Sequence, residues 1–117
     1  MTIERRRVPR IEVRRRVHVE VEGFKGHLTL LNVSPGGFGV STNELLAGNE
    51  DKVVRFAARD GRWVLTLAAR VAHVGVHNDQ ESGADTYFAG LAFVDAGTPA
   101  VSRVVDELLE RVAGVLV

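Results

Sequence analysis

The chain contains no cysteine. A disulfide framework, a thiolate metal site and a cysteine nucleophile are therefore all excluded, and the absence permits a reducing cytoplasm, the location expected here. No apolar run approaches the ~20 residues that a membrane-crossing helix needs. The basic N-terminus is not followed by an apolar segment, so neither a secretory signal nor a membrane partner is expected. Aromatic residues make up only 6 % of the chain and do not cluster along any strand, which argues against a stacking surface for polynucleotides. Proline is scarce, with three residues, and each marks a change of course: Pro9 in an N-terminal arm, Pro35 in a tight turn, Pro99 at a helix start.

Net charge is also missing, since fifteen basic residues balance fifteen acidic ones. The balance hides an asymmetry. Residues 1–16 carry seven arginines against Glu4 and Glu12, and the remainder carries eight basic against thirteen acidic residues. A basic arm on an acidic body points to an anionic partner for the arm, with a solvated tail as the plainer alternative. The 117 residues suffice for one domain with its own core, and 45 % apolar with 26 % charged residues is the balance of a soluble globular chain.

Residues 1–10 show no apolar periodicity and read as a flexible basic arm; residues 11–117 read as one domain. From Ile11 the chain alternates strictly through Val13, Arg15, Val17, Val19 and Val21, which predicts a single half-buried strand. Further strands are predicted over about 27–33, 38–42, 52–58, 63–76 and 86–94. Asn32–Gly37 forms a turn between two of them, and Arg59-Asp60-Gly61-Arg62 a hairpin. The 63–76 run places Val71 and His73 in line with Trp63, Leu65, Leu67 and Ala69. A strand that long is expected to bend or to carry a bulge. Between strands, Leu45 and Leu46 are expected to anchor a polar segment inward. Thr98-Pro99 opens a helix, 98–114, with an apolar stripe through Val101, Val104, Val105, Leu108, Leu109, Val112, Val115 and Leu116. That stripe needs a cover: the mouth or flank of the sheet, or the same helix in a homodimer. Six short strands and one terminal helix predict an all-β fold, a six-stranded antiparallel barrel of the split type with a C-terminal α-helix.

No catalytic constellation is visible, and a non-enzyme is expected. Ser34 is not in a nucleophile elbow. Gly36-Gly37-Phe38-Gly39 lacks the Lys-Ser/Thr of a phosphate loop. His73 and His77 are four apart, ~13 Å on a strand, with no carboxylate placed as a third ligand, so they read as surface or edge histidines and no metal and no cofactor is expected. Two features are left: the arginine arm and the Asn-x-Ser turn. Arginine forks onto phosphate oxygens, stacks on flat rings and pairs with the guanine edge. The turn sets an amide, a hydroxyl and backbone N–H groups within a few residues.

Arg6-Arg7-Val8-Pro9-Arg10 fits R-x-x-x-R, and Asn32-Val33-Ser34-Pro35-Gly36-Gly37 fits [D/N]-x-S-x-x-G. In this order and at about this spacing the pair resembles the signature of PilZ domains, bacterial receptors for cyclic di-GMP. Gly90-Leu91-Ala92-Phe93 is similar to the family's Gly-x-x-Phe at the end of the last strand. Arg10 and Arg14 also satisfy the arginine spacing, but the first strand should start directly after the second arginine, which favours Arg6 and Arg10. The resemblance implies the family's barrel with its C-terminal helix, and cyclic di-GMP as the ligand. Arg6 and Arg10 would hold phosphates and guanine edges. Asn32 and Ser34 would hydrogen-bond the ligand, and Gly37 would keep the turn's geometry and admit close backbone approach. Arg5, Arg7 and Gly36 are marginal members of the set: Arg5 would meet a second, intercalated ligand molecule, Arg7 has solvent as its simpler destination, and Gly36 occupies a free position of the motif. The implied function is a non-catalytic cyclic di-GMP receptor whose ligand orders the arm over the barrel rim and alters contact with an unidentified downstream protein. Two alternatives stand beside it. One is a degenerate member of the fold acting as a protein–protein adaptor, and the other is a small barrel that binds polynucleotide.

Overall fold

The computed structural model describes residues 11–12, 17–46 and 48–115. Among them are seven strand segments, β1 (Ile11–Glu12), β2 (Val17–Val21), β3 (Leu28–Ser34), β4 (Gly37–Thr42), β5 (Lys52–Ala58), β6 (Val64–Asn78) and β7 (Asp85–Phe93), followed by one helix, α1 (Pro99–Val115). Every neighbouring pair is antiparallel, in the order β1-β3-β4-β7-β6-β5-β2. The two edge segments, β1 and β2, are consecutive in the chain, and β2 also comes alongside β3. The sheet is thereby curled into a nearly closed barrel of six strand positions, as predicted. Of the strand expected to run from Ile11 to Val21, residues 11–12 and 17–21 are described and 13–16 lie outside the described residues. Its start pairs with β3 and its end with β5, so its two ends serve opposite edges of the sheet.

Alternation fills the interior. Val17, Val19 and Val21 of β2 and Val54, Phe56 and Ala58 of β5 point inward, with charged or polar residues between those of β2 pointing out. Phe38, Phe56 and Phe93 meet at the centre, with ring centroids 4.9 to 6.3 Å apart and two of the three contacts edge-on; that geometry suits the ring quadrupoles. The stripe of α1 buries Val105, Leu108 and Val112 in the same core, and the helix lies against β6 and β1. The barrel itself covers the stripe. Leu46 is an inward anchor at 2 % exposure, but Leu45, expected beside it, is 54 % exposed. The Asp60-Gly61 hairpin forms as predicted, with Gly61 at φ 77° and its N–H donating to the Ala58 carbonyl at 3.0 Å.

Candidate functional site: a glycine-floored groove

The motif turn is tighter than the sequence suggests. Asn32 and Ser34 belong to β3, and only Pro35 and Gly36 lie outside the paired strands, since Ser34 pairs directly with Gly37. Gly36 does not adopt a left-handed φ, and a Cβ there would meet nothing within 4 Å. Gly37 is different. A Cβ on it would drive into the Leu91 carbonyl oxygen of β7, so a side chain is forbidden by the neighbouring strand rather than by the turn. The Phe93 N–H donates to the Gly36 carbonyl at 2.9 Å and fastens the turn to the same strand.

Two β-bulges decide which way the site residues point. In β3 the register shifts between Leu30 and Asn32. Without the shift Leu30, Asn32 and Ser34 would share one face, because the strand period is two. With Leu31 as the extra residue, Leu30 and Val33 both go inward, and Asn32 and Ser34 are turned out. In β6 the register shifts between Val71 and His73. Val71 still packs on the core, whereas His73, predicted in line with it, is turned to the exterior by the extra residue Ala72. The bulge expected in this long strand is present; the one in β3 was not anticipated.

The bulges bring four strands into one cross-strand row: Asn32 opposite Gly39, Gly39 opposite Gly90, Gly90 opposite His73. Two bare backbone positions lie between two polar side chains. The Asn32 amide leans over Gly39, with its Oδ1 3.1 Å from where a Cβ would stand, and the His73 ring occupies the space that a Gly90 Cβ would need. The result is a shallow groove of about 310 Å³ on the outside of the barrel, reaching from Ser34 and Gly36 across the two glycines to His73 and Phe88. No carboxylate lines it among the described residues, so an anion there would meet no like charge from them. The only hydrogen bond given to the Ser34 hydroxyl among the described residues is a long one, donated to the Gly37 carbonyl at 3.3 Å.

Of the residues singled out in the sequence, Asn32, Ser34, Gly36 and Gly37 line this one groove. Arg5, Arg6, Arg7 and Arg10 lie outside the described residues. The segment that follows them is described: β1 pairs with β3 through Ile11↔Val33 and Glu12↔Asn32. His73, Gly39 and Ala72 were not singled out as parts of the site. The available signal was a glycine interrupting the apolar pattern in each of two strands, Gly39 and Gly90, which marks a close approach or a bulge. Among the described residues no group of three or more metal-ligating side chains comes together, and no helix is long and apolar enough to cross a membrane.

The sequence model of the PilZ domain matches residues 4–111. The chain belongs to the PilZ domain family. Among solved structures it is similar to the "PilZ domain with c-di-GMP of YcgR from Escherichia coli", with a TM-score of 0.69 and 17 % sequence identity over 94 % of this chain and 92 % of that one. At that identity the likeness speaks for the shared PilZ fold. No curated protein matches the sequence.

Proposed function

We propose that this PilZ domain is a non-catalytic receptor for cyclic di-GMP, which it binds in the groove over Asn32, Ser34 and Gly37 with Arg6 and Arg10 closing from the arm. The observation that carries the reading is the β1–β3 register. β1 pairs Ile11, the residue that follows Arg10 in the sequence, with Val33, which stands between Asn32 and Ser34. The two halves of the motif, separated by twenty-one residues in sequence, thus have a route to one rim of the barrel. Family membership and the ligand named for the YcgR domain support the same ligand here.

The chemistry fits. A cyclic dinucleotide presents two phosphates and two guanines. Arginine serves both, as a fork onto phosphate oxygens and as a partner for the guanine O6/N7 edge. The glycine floor lets a flat base approach the backbone closely, and the described lining holds no carboxylate to repel the phosphates. Ordering the arm costs conformational entropy that the charge-assisted contacts offset. The ordered arm then presents a new surface to a downstream protein in the cytoplasm.

Isothermal titration of the full chain with cyclic di-GMP tests the reading. Saturable binding is expected. Arg10→Ala is expected to abolish it, and Arg16→Ala, on the expected solvent side of the first strand, to leave it intact. A folded sample that takes up no ligand at tens of micromolar overturns the proposal. Binding to polynucleotide with a steep salt dependence would instead favour the nucleic-acid alternative.

A further inference from the structure

The longest strand is flanked on both sides along part of its length only. β5 accompanies β6 as far as Lys52↔Ala69, while β7 follows it on the other side out to Asn78↔Asp85. Beyond Ala69, one edge of β6 has no strand beside it among the described residues. Past the Ala72 bulge the register with β7 is unbroken from His73 to Asn78, so this edge is regular, and every residue from Ala72 to Asn78 is exposed. The unpaired N–H and C=O groups of such an edge are a template for another strand.

Edges are commonly blunted by Lys, Pro or inward-pointing charges. Residues 72–78 contain no Lys, Arg, Asp, Glu or Pro. Apolar side chains stand there instead. Val74 shares a face with its cross-strand partner Ala89, which is buried in the core, yet Val74 is 48 % exposed, and Val76, next on that face, 62 %. The core-facing line of β6 therefore runs on past the core. On the opposite face Gly75 pairs with Phe88, another exposed apolar side chain. Three of the six exposed large apolar residues among those described belong to this hairpin, so the uncovered apolar surface is concentrated there.

The sequence of the edge says what fits it. His73-Val74-Gly75-Val76-His77 reads the same in both directions about Gly75. Two copies meeting edge to edge about a two-fold axis run antiparallel, and residues directly opposite one another point to the same face. Centred on Gly75, Val74 of each copy faces Val76 of the other, and His73 faces His77. Moving the centre to Val74 or Val76 keeps one Val–Val pair in place of two. Across the two copies one face then reads Tyr87, Val76, Val74, Ala89, and on the other face two Phe88 rings flank a pair of glycines. β-branched and aromatic cross-strand neighbours are favourable pairs. The imidazole pairs are compatible, since each neutral ring has one donor and one acceptor.

We propose that the free edge of β6 is a dimerisation surface: residues 73–77 pair antiparallel with the same residues of a second copy, about a two-fold axis at Gly75, and join two barrels into one continuous sheet. The pairing needs no ligand, so its failure would leave the receptor reading untouched.

The test is sedimentation equilibrium of the full chain without ligand, from about 10 µM to about 1 mM, because an interface made by one pair of strands is small and its dimer weak. The mass is expected to rise towards twice that of one chain. Val76→Lys sets a charge on the edge at an exposed position, and is expected to weaken the dimer at least about 10-fold without moving the thermal melt. Disulfide trapping reads the register. The chain has no cysteine, a Cβ at Gly75 would meet nothing within 4 Å, and the Cα atoms of self-opposed residues lie ~4.5–5.5 Å apart, within disulfide reach. Gly75→Cys is expected to crosslink under mild oxidation several-fold faster than Val53→Cys, an exposed control on β5. A wild type that stays monomeric throughout the range overturns the proposal, whatever else covers the edge. A dimer that tolerates Val76→Lys overturns it as well, since the interface then lies elsewhere. Crosslinking of Gly75→Cys no faster than that of Val53→Cys overturns the two-fold register.

Discussion

The hollow beside β2 and β5 has a volume of about 420 Å³, larger than the 310 Å³ groove over β3, β4, β7 and β6, yet it offers a dinucleotide far less. Three charged side chains, Glu20, Glu22 and Arg55, stand among its apolar walls. Glu20 pairs with Arg55 at 3.6 Å and with His18 at 3.2 Å, and Glu22 stands beside them. An anionic ligand entering there would meet two carboxylates and would have to displace an ion pair. The groove over the glycines has no carboxylate among the described residues, and its floor is backbone. The smaller concavity is the better anion and base site because of what lines it. Both hollows lie on the outside of the same barrel, and the difference was made by single residues: a glycine in each of two strands, and one extra residue in each of two others.

The largest expected effect separates the two glycines of the turn. Gly37→Val should destabilise the fold by about 1–3 kcal/mol or more, because the new side chain must push β7 away at the Leu91 carbonyl. Gly36→Ala should change stability by no more than about 0.5 kcal/mol, since its Cβ enters open space at a φ that any residue adopts. Chemical denaturation midpoints of the two variants check this. Equal losses would mean that the turn, and not the approach of β7, dictates the glycines.

Next in size is the contrast between the two hollows. Asn32→Ala or Ser34→Ala should weaken cyclic di-GMP binding by roughly 10- to 100-fold, the usual cost of losing a hydrogen bond to a charged or strongly polar group at about 1.5–3 kcal/mol. Both side chains point outward, so the melting temperature should barely move. Glu20→Ala and Arg55→Ala should leave the affinity as it was. Their ion pair is more than half exposed on both sides, and such pairs contribute about 0–1 kcal/mol to stability. Titration of the four variants, each paired with a melt, decides whether the ligand uses the glycine groove or the charged hollow.

Much of the architecture was legible because it rests on alternation, a property of adjacent residues. β5 (Lys52–Ala58) coincides with its predicted span, and α1 follows its predicted stripe. The candidate site was legible only in part. Asn32, Ser34 and Gly37 stand close together in sequence, and β3 and β4 keep them close in space. His73 and Gly90 join them through pairing between distant strands, which no local pattern records. The bulges were harder still. A single added residue reverses every later side chain in a strand, so strict alternation lines His73 up with the core-facing residues, and only its reading as a surface or edge histidine agrees with its exposed place. The same simple rule, had it held in β3, would have put Asn32 and Ser34 on the core-facing side with Leu30. Leu45 shows the limit on a smaller scale: two adjacent leucines promise two anchors, and the segment provides one.

The smallest expected effect lies at the far end of the strands that carry His73. The β6–β7 connection is held by local polar bonds. The Asp79 carboxylate accepts from the Glu81 N–H at 3.0 Å and from the Ser82 hydroxyl at 3.0 Å, while Asn78 donates to Asp85 at 2.6 Å. Those bonds, the Glu81 N–H first and the Ser82 hydroxyl second, hold the Asp79 carboxyl below the ordinary carboxylate range. A carboxylate whose pKa is depressed on folding adds stability that is complete above its unfolded pKa and is lost as pH falls through the folded value. Acid should therefore loosen this loop while leaving the Gly39–Gly90 row intact, since no carboxylate lines that groove among the described residues. Carboxyl chemical shifts followed by NMR should show Asp79 titrating below an ordinary aspartate, and Ser82→Ala should move its midpoint part of the way back up. Amide exchange at Glu81 should quicken over the same pH interval, with the amides of Gly39 and Gly90 unaffected. If those two amides loosen together with Glu81, the hairpin tip and the groove form one cooperative unit, and the mechanical separation between polar loop and glycine floor is lost.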